Sequence, residues 1–141
     1  MKFKIATVLF LLAWIVSVAE ATRPMKVVKV WADCSCDDSI GNRVYSAVKE
    51  KIRESRGFRL ASREEAERDP SGFAIHIISL NEQSGDENES SALSVVFTMP
   101  MMDHTELYYT SIVMIAGSSK VNETADSIFA HLDAETEGLQ R

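Results

Sequence analysis

Several signatures are missing from this chain, and each absence removes a class of function. No Gly-x-Gly-x-x-Gly, Walker-type loop, His-Glu-x-x-His or calcium-loop pattern occurs, so nucleotide and zinc-protease chemistry have no foothold. His76 and His131 have no serine or cysteine partner in a recognisable motif, which leaves a hydrolase triad unsupported. Cysteine is confined to Cys34 and Cys36, and no internal repeat is found. Positive charge is also short: 15 basic residues face 21 acidic ones, a net charge of −6 that makes nucleic acid and anionic membrane surfaces poor partners.

One apolar run is present, at the start. Lys2 and Lys4 precede 14 uncharged residues, Ile5 to Val18, and Ala19-Glu-Ala21 supplies a small-x-small cleavage site. This is the layout of a secretory signal peptide over residues 1–21, and the run is short for a bilayer span, which needs roughly 20 apolar residues. No second run of spanning length follows, and Thr22-Arg-Pro24 stands where a lipoprotein would need cysteine. No stable membrane insertion is therefore expected after processing. Loss of Lys2, Lys4 and Glu20 would leave 13 basic and 20 acidic residues in a single domain over 22–141.

Lys26 to Ala32 reads as a first strand and the polar run Asp33 to Ser39 as a turn. Ile40, Val44, Ala47, Val48 and Ile52 recur at helical spacing, with Asp37, Asp38 or Ser39 as cap and Gly57 as left-handed terminator. Phe58 to Ala61 is a short strand, and Ser62-x-x-Glu65 is a capping box opening a helix of about two turns that Pro70 and Gly72 end. Phe73 to Leu80, apolar on both parities, predicts a central strand covered on both faces. After a polar loop, Asn81 to Ser91, come an antiparallel hairpin of strands, Ala92 to Met99 and Leu107 to Ala116, and a last helix. That helix places Val121, Ala125, Ile128, Phe129 and Leu132 on one face and frays beyond Ala134. The order predicts an α/β sandwich of two or three layers. Its sheet is mixed and five-stranded, in order 2-1-3-4-5, with two main helices and one short one.

The stretch Ile40-Gly-Asn-Arg-Val-Tyr-Ser-Ala-Val-Lys-Glu-Lys-Ile-Arg-Glu-Ser-Arg-Gly-Phe-Arg-Leu-Ala61, followed by the strand around Ala74 to Ser79, resembles the amino-terminal domain of TolB, an anticodon-binding-domain-like fold. It is also similar to small exported bacterial proteins that share the Cys-x-Cys run and the ending Ile115 to Ile128. The resemblance implies a periplasmic setting, an envelope protein as partner, and a role in protein–protein contact without a catalytic apparatus. No propeller domain follows here, so the Tol system itself is not implied.

Export would put Cys34 and Cys36 in an oxidising compartment. A local disulfide is one reading; the small ring is strained, and strain eases reduction. A thiol–disulfide redox pair is the rival, since a helix start lowers a thiol pKa, but Asp33, Asp37 and Asp38 oppose that and the spacer is one residue. Intermolecular bonding and free thiols complete the alternatives. Met99, Met101, Met102 and His104 gather three thioethers and an imidazole, which a Cu(I) site could use, or form an adaptable apolar contact surface. The second reading is preferred, so no metal or cofactor is expected. His76 reads as a sheet-face or core histidine with one satisfied nitrogen, and His131 as a solvated one. Tyr108 and Tyr109 project to opposite faces, one into the core and one toward a partner; Tyr109 joins the partner-binding candidates. Asn88-Glu-Ser90 and Asn122-Glu-Thr124 match the glycosylation sequon, which matters only in a eukaryotic host. The functional expectation is an exported binding or adaptor domain that uses the sheet edge and the connection 100–106.

Overall fold

Residues 26–81 and 90–140 are described by the structure, a computed structural model. The leader predicted over residues 1–21 and most of the predicted polar loop after Asn81 lie outside the described residues, as does Asn88. Among the described residues five strands form one sheet in the order β2-β1-β3-β4-β5, as the sequence predicts. They are β1 (Val28–Cys36), β2 (Phe58–Leu60), β3 (Phe73–Asn81), β4 (Ser90–Pro100) and β5 (Glu106–Gly117). The helices are α1 (Ser39–Glu54), α2 (Arg63–Glu67) and α3 (Val121–Gln140).

β2 and β3 both pair parallel to β1, on opposite sides of it, whereas β4 and β5 follow antiparallel. Parallel crossovers are right-handed, so leaving β1 in one direction and returning past it in the other puts α1 and α2 on opposite faces. α1 and α3 pack together on one face. There Ile40, Val44, Val48, Ile52, Ile128 and Leu132 meet Val28, Val30, Phe73, Ile75, Ile77 and Phe97 in a single core. α2 covers only one end of the other face. The molecule is thus a two-layer sandwich with a fragment of a third layer.

Asp38 caps α1: its carboxylate accepts the Gly41 N–H at 2.7 Å and the Ser91 hydroxyl at 2.9 Å. Burial pushes this carboxyl up, but bonds from the Gly41 and Ile40 N–H groups and the hydroxyls of Ser79 and Ser91 outweigh it and hold it below its ordinary range. Ser79 Oγ is buried and lies outside regular hydrogen-bond geometry, so it acts on the carboxylate as a nearby hydroxyl dipole. The predicted capping box of α2 is present, with Ser62 Oγ accepting from the Glu65 N–H and Glu65 accepting from the Ser62 N–H.

Five expectations need correction. β1 does not turn at Asp33 but runs on through Cys36, because β3 offers ladder partners out to Cys36↔Ser79. Gly57 is not the terminator of α1, which ends at Ser55 in an extended conformation so that the chain can enter β2 directly. β3 is central but covered on one face only at its far end, where Ile78 and Leu80 are 43% and 60% exposed. α3 does not fray beyond Ala134: buried Thr136 donates to the Leu132 carbonyl at 2.7 Å, and the Gln140 carbonyl accepts from the Lys26 N–H at 3.4 Å. His131 belongs with these findings. It is not fully solvated, since its ring lies 5.0 Å from that of Phe97.

Candidate functional site at the hairpin end of the sheet

The turn joining β4 to β5 is built by its backbone. The Met101 N–H donates to the Thr105 carbonyl at 2.9 Å, and the His104 N–H to the Met101 carbonyl at 3.0 Å. Asp103 accepts from the backbone and hydroxyl of Thr105, which holds its carboxyl below the ordinary range. A three-residue loop of this type needs a left-handed residue before the second strand, and here it is His104, at φ 64°. That position favours glycine, so a histidine there must be held by something else.

Glu67 of α2 holds it. Its carboxylate lies 3.0 and 3.1 Å from His104 Nδ1 and accepts from Arg63 Nε at 2.8 Å. The Arg63 bond first, and the His104 bond second, keep the Glu67 carboxyl below its usual range. Arg63 is drawn further toward its charged form mainly by the same Glu67 bond, and it lies over the Trp31 ring at 4.9 Å. Its Nη2 reaches the His104 carbonyl at 3.3 Å and Glu106 at 3.5 Å. Glu106 in turn takes the Thr98 hydroxyl at 2.7 Å and lies 2.6 Å from His76 Nε2, while Asp33 stands 3.7 Å from His76 Nδ1. His76 is therefore a sheet-face histidine flanked by carboxylates, as part of a lattice that ties the hairpin to α2 and β1.

Beside this lattice a groove of about 590 Å³ opens between the segment 67–72 and the hairpin. Met99, Pro100, Met101, Met102, Leu107 and Pro70 make its walls apolar. Glu67, Asp69 and Asp103 stand in it as the acids. Asp69 is held low chiefly by the Ser71 hydroxyl and N–H, with Lys29 adding to them. Met101, Met102 and Leu107 are 43%, 79% and 57% exposed. A concave, mostly apolar site carrying a few fixed polar groups can take an apolar side chain or ligand, and flexible thioethers adapt to its shape.

Three of the methionines proposed from sequence thus share one groove. His104 stands at its rim with Nδ1 turned to Glu67. Tyr109 lies apart, because a bulge at Phe97/Thr98 leaves it the extra residue of β5. Its ring meets Phe73 edge-on at 5.4 Å on the helix side, and its hydroxyl donates to the Glu135 carbonyl at 3.4 Å. Tyr108 points the other way and bonds Ser111, so the two tyrosines do project oppositely. Leu107, Pro70 and the α2 acids were not singled out from sequence. Only the fold brings the segment after α2 against the hairpin.

Cys34 and Cys36 are joined as a disulfide, with Cα atoms 5.4 Å apart. Both lie partly buried against the core on the α1 side of β1. They are therefore residues of a strand face, not of a loop ahead of a helix. Among the described residues no group of three or more His, Cys, Asp or Glu side chains is arranged to hold a metal ion.

No family model matches the chain, and no curated protein matches it. Three solved structures are similar to it at low identity. The PelC dodecamer of Paraburkholderia phytofirmans is 13% identical over 82% of this chain and 91% of its own, with a TM-score of 0.48. The hypothetical protein CT253 of Chlamydia trachomatis is 9% identical over 80% and 97%, also at 0.48. Lipoprotein GNA1162 of Neisseria meningitidis is 10% identical over 79% and 99%, at 0.40.

Proposed function

We propose that this chain is an exported, non-enzymatic adaptor that holds an envelope protein in the methionine-lined groove at the hairpin end of its sheet. The observation that carries the reading is the groove itself: apolar, open, and walled by a turn whose strained His104 is fixed by Glu67. A left-handed non-glycine residue retained at a rim is the kind of local cost found where a surface is shaped for contact. The leader-like residues 1–21 and the order of elements likened to the TolB amino-terminal domain support a periplasmic address.

The test is site-specific photo-crosslinking from Met102 in the intact host. A discrete protein adduct is expected, lost in Met101→Asp and in Leu107→Asp while the fold is retained. Absence of any adduct, or an adduct indifferent to both substitutions, refutes the assignment.

A further inference from the structure

β5 ends the sheet, and among the described residues nothing pairs with its outer edge. In an antiparallel ladder every second residue turns its N–H and C=O away from its neighbour, so an edge strand presents a row of hydrogen-bonding groups that only another extended chain can meet in full. Edge strands are ordinarily blunted by charge, proline, a bulge, shortness or a covering element. β5 uses these devices only at its start, where Glu106 stands and the bulge leaves Tyr109 as the extra residue. From Thr110 to Ala116 the register to β4 runs unbroken, and the seven residues Thr110-Ser-Ile-Val-Met-Ile-Ala116 include no charge, proline or glycine. β4, which is paired on both sides, is uncharged in the same way. β5 thus has the composition of an internal strand in the place of an edge one.

Both rows of its side chains are left incomplete. Toward the helices Ile112 and Met114 are only half-buried, so α3 does not overhang the edge there. On the other face Val113 and Ile115 are 79% and 73% exposed. One further strand alongside would shield both rows at once, whereas a ligand on either face would shield one.

β5 is suited to meet itself. A two-fold axis perpendicular to the sheet sets β5 of a second copy antiparallel to the first and keeps the helices of both copies on one side, an isologous contact. Side chains then match face to face only if the axis passes through a residue that stands opposite its own counterpart. The regular stretch is bounded by the bulge and by Gly117, and its midpoint is Val113. Full overlap therefore sets Val113 opposite Val113, Ile112 opposite Met114, Ser111 opposite Ile115 and Thr110 opposite Ala116. Ile112 and Met114 cover each other on both sides of the axis, and no charge faces a charge, which matters for two copies of a chain with net charge −6. Seven paired residues span about 24 Å and exchange about six to eight main-chain bonds. That matches the roughly 5–15 hydrogen bonds of an ordinary interface, while the narrow area places the contact among weak ones.

We propose that a second copy of this chain pairs edge to edge with the first through Thr110 to Ala116 of β5, in the register centred on Val113, so that the two five-stranded sheets become one. No residue of the methionine groove takes part, so failure of either assignment leaves the other standing.

Sedimentation equilibrium on the protein as its host processes it tests this. A dimer dissociating at roughly 10–100 μM is expected, because main-chain bonds supply the affinity over a small area. Val113→Lys and Val113→Glu each set like charges directly opposite one another across the axis and are expected to weaken the dimer by roughly tenfold or more. An equimolar mixture of these two variants sets lysine opposite glutamate and should associate again as a heterodimer. The position is exposed, so melting temperatures should hold. Leu107→Ser, in the groove, leaves the dimer unchanged. Single variants that associate as tightly as the parent, or a mixture no better than its components, overturn the pairing. A parent that stays monomeric throughout overturns it too and leaves the edge to a strand of another protein.

Discussion

Gly41 lies within α1, where alanine would favour the helix by roughly 0.8–1 kcal/mol. Its surroundings reverse that preference. A Cβ there would stand 2.0 Å from Ser79 Oγ, 2.4 Å from Ser79 Cβ and 3.3 Å from Cys36 Cβ. Carbon atoms prefer to lie about 3.5–4.0 Å apart, so α1 would have to retreat from β3 by about 1 Å. Such a retreat loosens Ile40, Val44, Val48 and Ile52, all buried against the sheet. Overpacking of this kind costs about 1–3 kcal/mol, and we take the upper end because the obstacle includes a Cβ that no rotamer can move. Gly41→Ala should then lose about 2 kcal/mol net of propensity, which for a domain of this size lowers the melting temperature by roughly 6–12 °C. Ser79→Gly removes both obstructing atoms. Alone it costs up to about 1 kcal/mol, as glycine does inside a strand. Combined with Gly41→Ala it should restore most of the deficit, with a coupling energy of at least about 1.5 kcal/mol. Ser79→Ala keeps the Cβ contact and should not rescue. Urea unfolding of the four proteins of the cycle, read at unchanged m-value, measures all of this. Gly41→Ala as stable as the parent, or a double variant no better than the sum of its parts, would show that the close approach of α1 to β3 is not what glycine serves.

Asp38→Ala removes a cap, strands the Gly41 N–H and leaves the buried Ser91 hydroxyl only the Leu80 carbonyl at 3.4 Å, so a loss of about 2 kcal/mol is expected near pH 7. Because the folded Asp38 pKa is lowered, that stabilisation is present above the unfolded value near 4 and disappears as pH falls through the folded one. Paired urea titrations at neutral pH and near pH 3 should show the gap closing, and a constant gap would sink the linkage. At His104, glycine relieves the left-handed strain and alanine does not, so His104→Gly should exceed His104→Ala in stability by about 1 kcal/mol although both lose Glu67. Equal melting temperatures would count against a strained turn. The disulfide closes a loop of three residues, for which the chain-entropy relation gives only about 1–2 kcal/mol. Reduction should therefore lower the melting temperature by no more than roughly 10 °C, and outright unfolding on reduction would refute the estimate.

Much of the fold was legible because the periodicities were clean. Ile40, Val44, Val48 and Ile52 marked the buried face of α1, and Ser62 with Glu65 marked the start of α2. Elsewhere a tertiary partner overrode a local reading. Asp33 to Cys36 looks like a turn by composition, yet its alternation of polar and cysteine residues already has the period of a strand, and β3 supplies the hydrogen bonds that complete it. Thr136 and Leu139 continue the spacing of Leu132 along α3, a signal that the charges around them obscured. β3 reads as doubly covered because Ile78 and Leu80 are apolar; composition cannot say which apolar residues find a covering layer within the same chain. The groove was half visible, as the methionines of one turn. Its other wall comes from a segment some thirty residues earlier, and no local pattern joins the two.

The two ends of the sheet follow opposite physical logic, and the contrast bears on the contact surface proposed above. At the α1 end polar groups are consumed internally: Asp38 takes the helix amino terminus and Ser91, Gly41 sits against Ser79, and the disulfide fills the space beside them. The crevice beyond the carboxyl ends of parallel strands, where α/β sheets bind ligands, thus has its helix dipole already satisfied. At the hairpin end the polar groups bond among themselves as well, through Arg63, Glu67, His104, Glu106 and His76. There, however, they serve as a brace that leaves Met101, Met102 and Leu107 facing outward. Rigid polar scaffolding beneath adaptable apolar side chains suits recognition of a surface better than transformation of a substrate. Loosening the brace should therefore weaken partner capture even where no contact residue has changed: Glu67→Gln is expected to reduce the Met102 crosslink, and an unchanged yield would mean that the groove holds its shape without it.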